Sequence, residues 1–140
     1  MNRILVCLDG SARAPKVLGT AIHLAERLGA RLTLFRAVGL PTMLEGTDAI
    51  VPSDKSLMTQ LLDDARHELT VMSRDVPLHH LAGVDVFVGT PWDAICNTAK
   101  EREVDLIVIG SHGYGGLDRL LGTTAAKVVD HATACVMVVR

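Results

Sequence analysis

The sequence predicts an α/β fold in which a parallel sheet lies between two layers of helices. Short runs rich in Val, Ile and Leu recur five times, and helix-length segments with one apolar stripe lie between them. Most of the runs are apolar at successive positions, as strands buried on both faces of a parallel sheet must be. The strict β-α-β-α-β-α-β-α-β order then requires right-handed crossovers, because a right-twisted strand feeding a helix packs back onto its sheet only that way.

The elements follow in order. The first run, residues 3–9 (RILVCLD), ends in an acid just before a Gly-Ser turn. Ala14–Leu28 is a helix, since Val17, Leu18, Ala21, Leu24, Ala25 and Leu28 are spaced by one, three and four. Arg31–Val38 (RLTLFRAV) is the second strand. Residues 39–55 form a connection longer than the usual few residues, which reads as a lid or as partly helical. Residues 56–73 repeat the helical stripe with Leu57, Leu61, Ala65 and Leu69 or Met72. His79 and His80 fall in a connecting loop; neighbours on extended backbone point to opposite sides and do not share a metal. Residues 84–88 (VDVFV) are the third strand. The helix over 91–102 starts with Pro91, where a missing N–H costs nothing, and Trp92 reads as packing at the helix start. Residues 104–110 form the most apolar strand, 120–132 the fourth helix and Cys135–Val139 the last strand.

Composition excludes several classes. The 140 residues suit one domain, and at this size about 70% of the unfolded surface is buried without help from metal or disulfides. A hydrophobic share of 49% excludes a disordered chain. Aromatic residues make up only 3%, too few for a platform that stacks nucleic-acid bases. Fourteen basic residues against sixteen acidic ones give a net charge of −2, so nothing draws the chain to nucleic acid or an anionic membrane. Any phosphate is then held by local geometry. Cys7, Cys96 and Cys135 are odd in number and widely spaced, and read as three buried small apolar residues. Apolar runs such as residues 4–8 fall far short of the ~18 residues of a membrane span. The first run meets Asp9 directly, so no signal peptide is expected and a cytoplasmic location is.

The densest chemical signal is residues 110–124, GSHGYGGLDRLLGTT. In doubly wound sheets, ligands sit outside the carboxyl ends of the strands where the winding reverses. Glycines there let backbone N–H groups converge on an anion, and a helix N-terminus adds free donors and the positive end of its dipole. Thr123 and Thr124 either add donors or cap the helix. The segment is neither a Walker loop nor a G-x-G-x-x-G turn. Asp9 either caps the first helix through the Gly-Ser turn, accepts hydrogen bonds from a ribose hydroxyl or adenine amine, or helps to order Mg²⁺. His112 reads as a loop-shaping or ligand-contacting residue before it reads as a general base. Hydrolysis also needs a placed metal and a directed cation, and nothing directs Arg119 or Lys127.

Taken together these residues resemble the universal stress protein family over the whole chain. ILVCLDGS is similar to that family's first strand and Asp, and Val88-Gly89-Thr90-Pro91 with Ile95 to its V-G-x-P-x-x-x-I lead into the third helix. DLIVIGSHG and GTTAAKVV resemble its phosphate loop and last helix. The resemblance implies a single domain over 1–140, of the adenine-nucleotide alpha-hydrolase-like (Rossmann-like) type with strand order 3-2-1-4-5. It implies an ATP site, with AMP or ADP as alternatives and Mg²⁺ as a companion the sequence does not fix. Asp9 would contact ribose or adenine, Ala37 would offer backbone to adenine, and Gly110, His112 and Gly113 would line the phosphates. Gly122, Thr123 and Thr124 would complete the cradle. One departure stands out: eight residues separate Gly113 from Gly122, where the family's ATP-binding pattern has nine.

Cys135–Val139 carries no Pro, Lys or bulge signal along its edge, which invites pairing with a second copy. The resemblance also implies a homodimer through this strand. The expected role is a nucleotide switch in the stress response, without rapid turnover. A weak ATPase or phosphotransferase in the same pocket, and a dimerisation or chaperone-like module without nucleotide, are the alternatives.

Overall fold

Strands that are apolar at every position must be covered on both faces, and the computed structural model, which describes residues 1–39, 55–111 and 121–140, has that arrangement. Its elements are β1 (Arg3–Cys7), α1 (Ala14–Leu28), β2 (Arg31–Val38), α2 (Lys55–Ser73), β3 (Leu81–Val88), α3 (Pro91–Glu101), β4 (Leu106–Gly110), α4 (Thr123–His131) and β5 (Cys135–Val139). All neighbouring strands pair in parallel, in the order β3-β2-β1-β4-β5. The fold class and strand order are those expected.

The period of two sorts each strand between the faces. Ile4, Val6, Leu32, Leu34, Leu106 and Val108 join Val17, Leu18, Ala21 and Ala25 of α1 and Leu69 of α2 in one core. Leu5, Cys7, Phe35, Ile107 and Ile109 point the other way, onto Ile95 and Ala99 of α3 and Ala125 and Val128 of α4. Each such Leu, Ile, Val or Phe contributes roughly 1.5–3 kcal/mol by leaving water, so the two half-cores together fix the sheet in the middle layer. α1 ends at Gly29, whose φ of 66° is the left-handed conformation a helix stop uses. A Cβ there would meet nothing within 4 Å, so glycine is needed for its backbone and not for space.

Several local expectations are corrected. β3 begins at Leu81, ahead of the expected 84, and α4 begins at Thr123, after the expected 120, because Gly122 holds extended backbone at its N-cap. His79 and His80 do not lie on extended chain. Pro77 leads into a 3-10 turn, Leu78–His80, that turns both rings to one side, with centroids 4.1 Å apart. His80 is buried there, its Nδ1 2.7 Å from the Ala30 carbonyl oxygen, while His79 stays exposed. Of the cysteines only Cys7 is buried; Cys96 is half-buried and Cys135 exposed at the sheet edge. Trp92 does pack at the start of α3, with the His131 ring 4.6 Å away and Lys127 Nζ 5.5 Å from its centroid. The long connection expected over 39–55 falls, from 40 to 54, outside the described residues. Among the described residues no helix is long and apolar enough to cross a membrane.

At the amino end of the sheet, Asp105 clamps β1 to β4. Its Oδ2 accepts the N–H groups of Asn2 (2.7 Å) and Arg3 (2.9 Å), and its own N–H donates to the Arg3 carbonyl (2.9 Å). The two N–H donors, with the nearby amino terminus and Arg3 guanidinium, hold the Asp105 carboxyl below its usual range despite its exposure. A carboxyl that titrates lower in the folded than in the unfolded chain stabilises the fold above about pH 4, and that stabilisation is lost as the pH falls through the folded value. Melting temperatures followed between about pH 5 and 2 should therefore fall less steeply for Asp105→Asn than for the unsubstituted protein.

Candidate functional site

β1 is where the winding reverses. The chain leaves it for β2 on one side, and returns as β4 on the other. The segments following β1 and β4 feed α1 and α4, which cover opposite faces, so the carboxyl ends of these strands part and leave a cleft between them. The cleft encloses about 230 Å³. Its floor is apolar, made by Cys7, Phe35, Ile95, Ile109 and Ala125, and its rim carries polar and cationic groups from Asp9, Ser11, Arg13, Arg36 and Ser111.

Asp9, Ala37, Gly110, Gly122, Thr123 and Thr124, all expected from sequence, line this one cleft. His112 and Gly113 lie outside the described residues. Asp9 Oδ1 accepts the Ser11 N–H at 3.0 Å and the Ser11 hydroxyl, and Ser11 Oγ accepts the Arg13 N–H at 3.3 Å. Asp9 thus shapes the Gly-Ser turn ahead of α1 with one oxygen while its exposed side chain remains on the cleft rim. The threonines do not cap α4. Gly122 takes the N-cap position, and Thr123 and Thr124 stand in the first turn, where helical N–H groups have no partner in their own helix.

Ser111 joins the surrounding pieces. It is buried, donates its N–H to the Val139 carbonyl of β5 (2.8 Å), and accepts the Gly122 N–H on its own carbonyl (2.6 Å). Its hydroxyl accepts a bond from Arg13 Nη1 at 3.3 Å, which spans the cleft from the β1 side to the β4 side. Arg36 does similar work at the end of β1. Its Nε donates to the Leu8 carbonyl (3.1 Å), its Nη2 to the Asp9 carbonyl (3.3 Å), and its Nη1 pairs with Glu68 of α2 at 2.5 Å.

Arg13, Arg36, Ser11 and Ser111 were not singled out from sequence. The available signal was position: Ser11 and Arg13 follow β1 within a few residues, and Ser111 lies inside the glycine-rich segment. What the sequence did not carry was side-chain reach across the cleft. Burial pushes the Cys7 thiol far above its ordinary range, and burial with the nearby Asp93 charge raises Cys96, so neither offers a thiolate. Among the described residues no three His, Cys, Asp or Glu side chains gather as a metal site. The cleft combines an apolar floor, a strand end with exposed backbone, a guanidinium and a helix N-terminus, a combination that suits a flat ring carrying an anionic group.

Comparison with known proteins gives a consistent result. The universal stress protein family matches the chain over residues 1–140. Universal stress protein YxiE of Bacillus subtilis is 32% identical over 149 aligned positions, covering 99% of both chains. The solved structure of universal stress protein UspA from Lactobacillus plantarum superimposes with a TM-score of 0.78 at 30% identity, over 99% of this chain and 97% of that one. A universal stress protein from Archaeoglobus fulgidus, solved in complex with dAMP, superimposes with a TM-score of 0.62 at 22% identity, over 100% of this chain and 98% of that one.

The bonds of Arg36 set a measurable difference between its two ends. Arg36→Ala strips partners from two carbonyls beside the cleft and should lower the unfolding free energy by about 1–3 kcal/mol. Glu68→Ala removes only an exposed partner and should cost at most about 1 kcal/mol. Urea unfolding followed by circular dichroism compares the two.

Proposed function

The chain belongs to the universal stress protein family, and from that premise we propose that it binds an adenine nucleotide in the cleft beyond β1 and β4 and acts as an occupancy switch in the stress response. The convergence of Asp9, Ala37, Gly110, Gly122, Thr123 and Thr124 on one cleft carries this reading. The adenine ring lies on the apolar floor beside the backbone of Ala37, with Asp9 toward the ribose. The phosphates run toward Gly110 and the first turn of α4. The dAMP complex of the Archaeoglobus fulgidus relative supports an adenine nucleotide as the ligand class. ATP is the proposed physiological ligand, and AMP and ADP share its base and ribose contacts. Mg²⁺ enters with the phosphates, because Asp9 has one oxygen committed to Ser11 and a lone carboxylate makes a poor cation cage.

Function through occupancy requires a nucleotide to bind one conformation better than another, and partners then read the favoured surface. The proposed acting form is a homodimer joined through β5. Its outer edge has no paired strand in the sheet, and no proline or charge interrupts Cys135–Val139. The opposite edge strand, β3, bears a charge, Asp85, ion-paired to Arg102. Three unpaired cysteines suit the reducing cytoplasm proposed as its location.

Thermal unfolding tests the site. ATP or AMP at a hundred times its dissociation constant should stabilise the protein by about 2.7 kcal/mol, a rise in melting temperature of roughly 8 °C. Asp9→Asn keeps an acceptor for the Ser11 turn, and Thr123→Val with Thr124→Val keeps the side-chain shape; both should diminish the shift. Equal shifts in all variants, or none in the unsubstituted protein, would remove the proposed site. Light scattering at micromolar concentration should give the mass of two chains, and a monomer would remove the proposed dimer.

A further inference from the structure

We propose that Arg36 is a positioning residue for ribose recognition: it fixes the backbone on both sides of Asp9 and so aims that carboxylate into the cleft. The inference rests on the nucleotide reading of the cleft. It adds the device that keeps the ribose contact in place, a side chain whose own bonds go to the scaffold.

β1 ends at Cys7, so Asp9 stands on a segment that has already left the strand. One more backbone bond follows the ladder, from the Leu8 N–H to the Phe35 carbonyl at 2.9 Å. Beyond it the Arg36 side chain takes over, with Nε donating to the Leu8 carbonyl (3.1 Å) and Nη2 to the Asp9 carbonyl (3.3 Å). The first carbonyl belongs to the peptide that enters Asp9 and the second to the peptide that leaves it. Holding both fixes the direction in which the Asp9 side chain departs. The guanidinium is itself anchored, since its side chain is only 12% exposed and Nη1 pairs with Glu68 of α2. On the side chain of Asp9, Oδ1 is taken by the Ser11 N–H and hydroxyl, while Oδ2 meets no donor among the described residues and stands on the cleft rim. Arg36 also precedes Ala37 on β2, so one strand end sets the adenine contact and the aim of Asp9 together.

A bond from a ribose hydroxyl to an ionised carboxylate is short and roughly twice as strong as a neutral one. Such a contact works only when the acceptor is held to within roughly 0.5 Å of its place by supporting bonds. Without Arg36 the Ser11 turn still grips Oδ1, but the two peptides beside Asp9 lose their side-chain donor and the carboxylate drifts with the turn. The apolar floor and the first turn of α4 do not depend on those two bonds. Arg36 therefore acts on the ribose hydroxyls and leaves the base and phosphate contacts as they are.

Isothermal titration of AMP and 2′,3′-dideoxy-AMP, which lacks the ribose hydroxyls, tests the proposal. The proteins are the unsubstituted chain, Asp9→Asn, Arg36→Ala, Arg36→Lys and the double variant Asp9→Asn with Arg36→Ala. The unsubstituted protein should prefer AMP roughly ten- to hundredfold. Arg36→Ala should cut that preference about tenfold and leave the affinity for the dideoxy analogue unchanged. The double variant should lose no more than Asp9→Asn alone, because both substitutions remove one contact. Arg36→Lys, with one nitrogen for two carbonyls, should fall between, and it decides if Arg36→Ala does not fold. A full preference for AMP in the Arg36 variants, equal losses for both ligands, or additive losses in the double variant would overturn the role of Arg36 while leaving the cleft as the nucleotide site. Equal affinity of the unsubstituted protein for AMP and its analogue would remove the ribose contact and this inference, again leaving the cleft. Absence of binding by either ligand to the unsubstituted protein would overturn the nucleotide reading and this inference with it.

Discussion

β1 is hydrogen-bonded on both sides to strands that the chain reaches by opposite windings, and every feature of the cleft follows from that pairing. Because Leu5 and Val6 are buried on opposite faces, α1 and α4 must cover different faces of the sheet. The segments that lead to those helices then separate just where β1 and β4 end. The parallel ladder stops there as well, leaving carbonyls that need partners. Arg36 supplies bonds to two of them and Ser111 ties the end of β4 to β5 and α4. The site is a gap that the core dictates, edged by side chains that complete the ladder's loose ends.

Net charge says little about such a site. At −2 the whole chain has no long-range attraction for anions, yet two guanidinium groups line one small cleft. They divide the work. Arg36 is matched by Glu68 and serves the scaffold, while Arg13 reaches across the cleft to the Ser111 hydroxyl. The apolar floor strengthens any charged contact made in the cleft, since charges interact more strongly where water is scarce.

The sheet was legible because burial on both faces leaves unbroken apolar runs, and strict alternation with amphipathic helices admits few topologies. Element ends were less legible. α4 starts late because Gly122 and not a threonine holds its cap, a choice of backbone that helical periodicity does not encode. His79 and His80 were misread because a 3-10 turn, set by Pro77, replaced extended chain. Residue type alone reads Cys96 and Cys135 as buried, while a half-buried place on α3 and the open edge at β5 leave them in contact with solvent. Within the cleft, Asp9, Gly110 and Gly122 were readable because they stand close to the strand and helix ends that line it. Arg13 and Arg36 were not, because a long side chain's destination depends on elements far away in sequence.

The bond from the Gly122 N–H to the Ser111 carbonyl ties the two ends of residues 112–121 together, independent of what lies between. The entropy of closing such a ring varies with the logarithm of its length, so one residue more or fewer alters it by only about 0.1 kcal/mol. The eight-residue spacing between Gly113 and Gly122 is therefore almost invisible to folding stability. One residue more or fewer between these ends should therefore leave the closing bond, and with it the start of α4, in place.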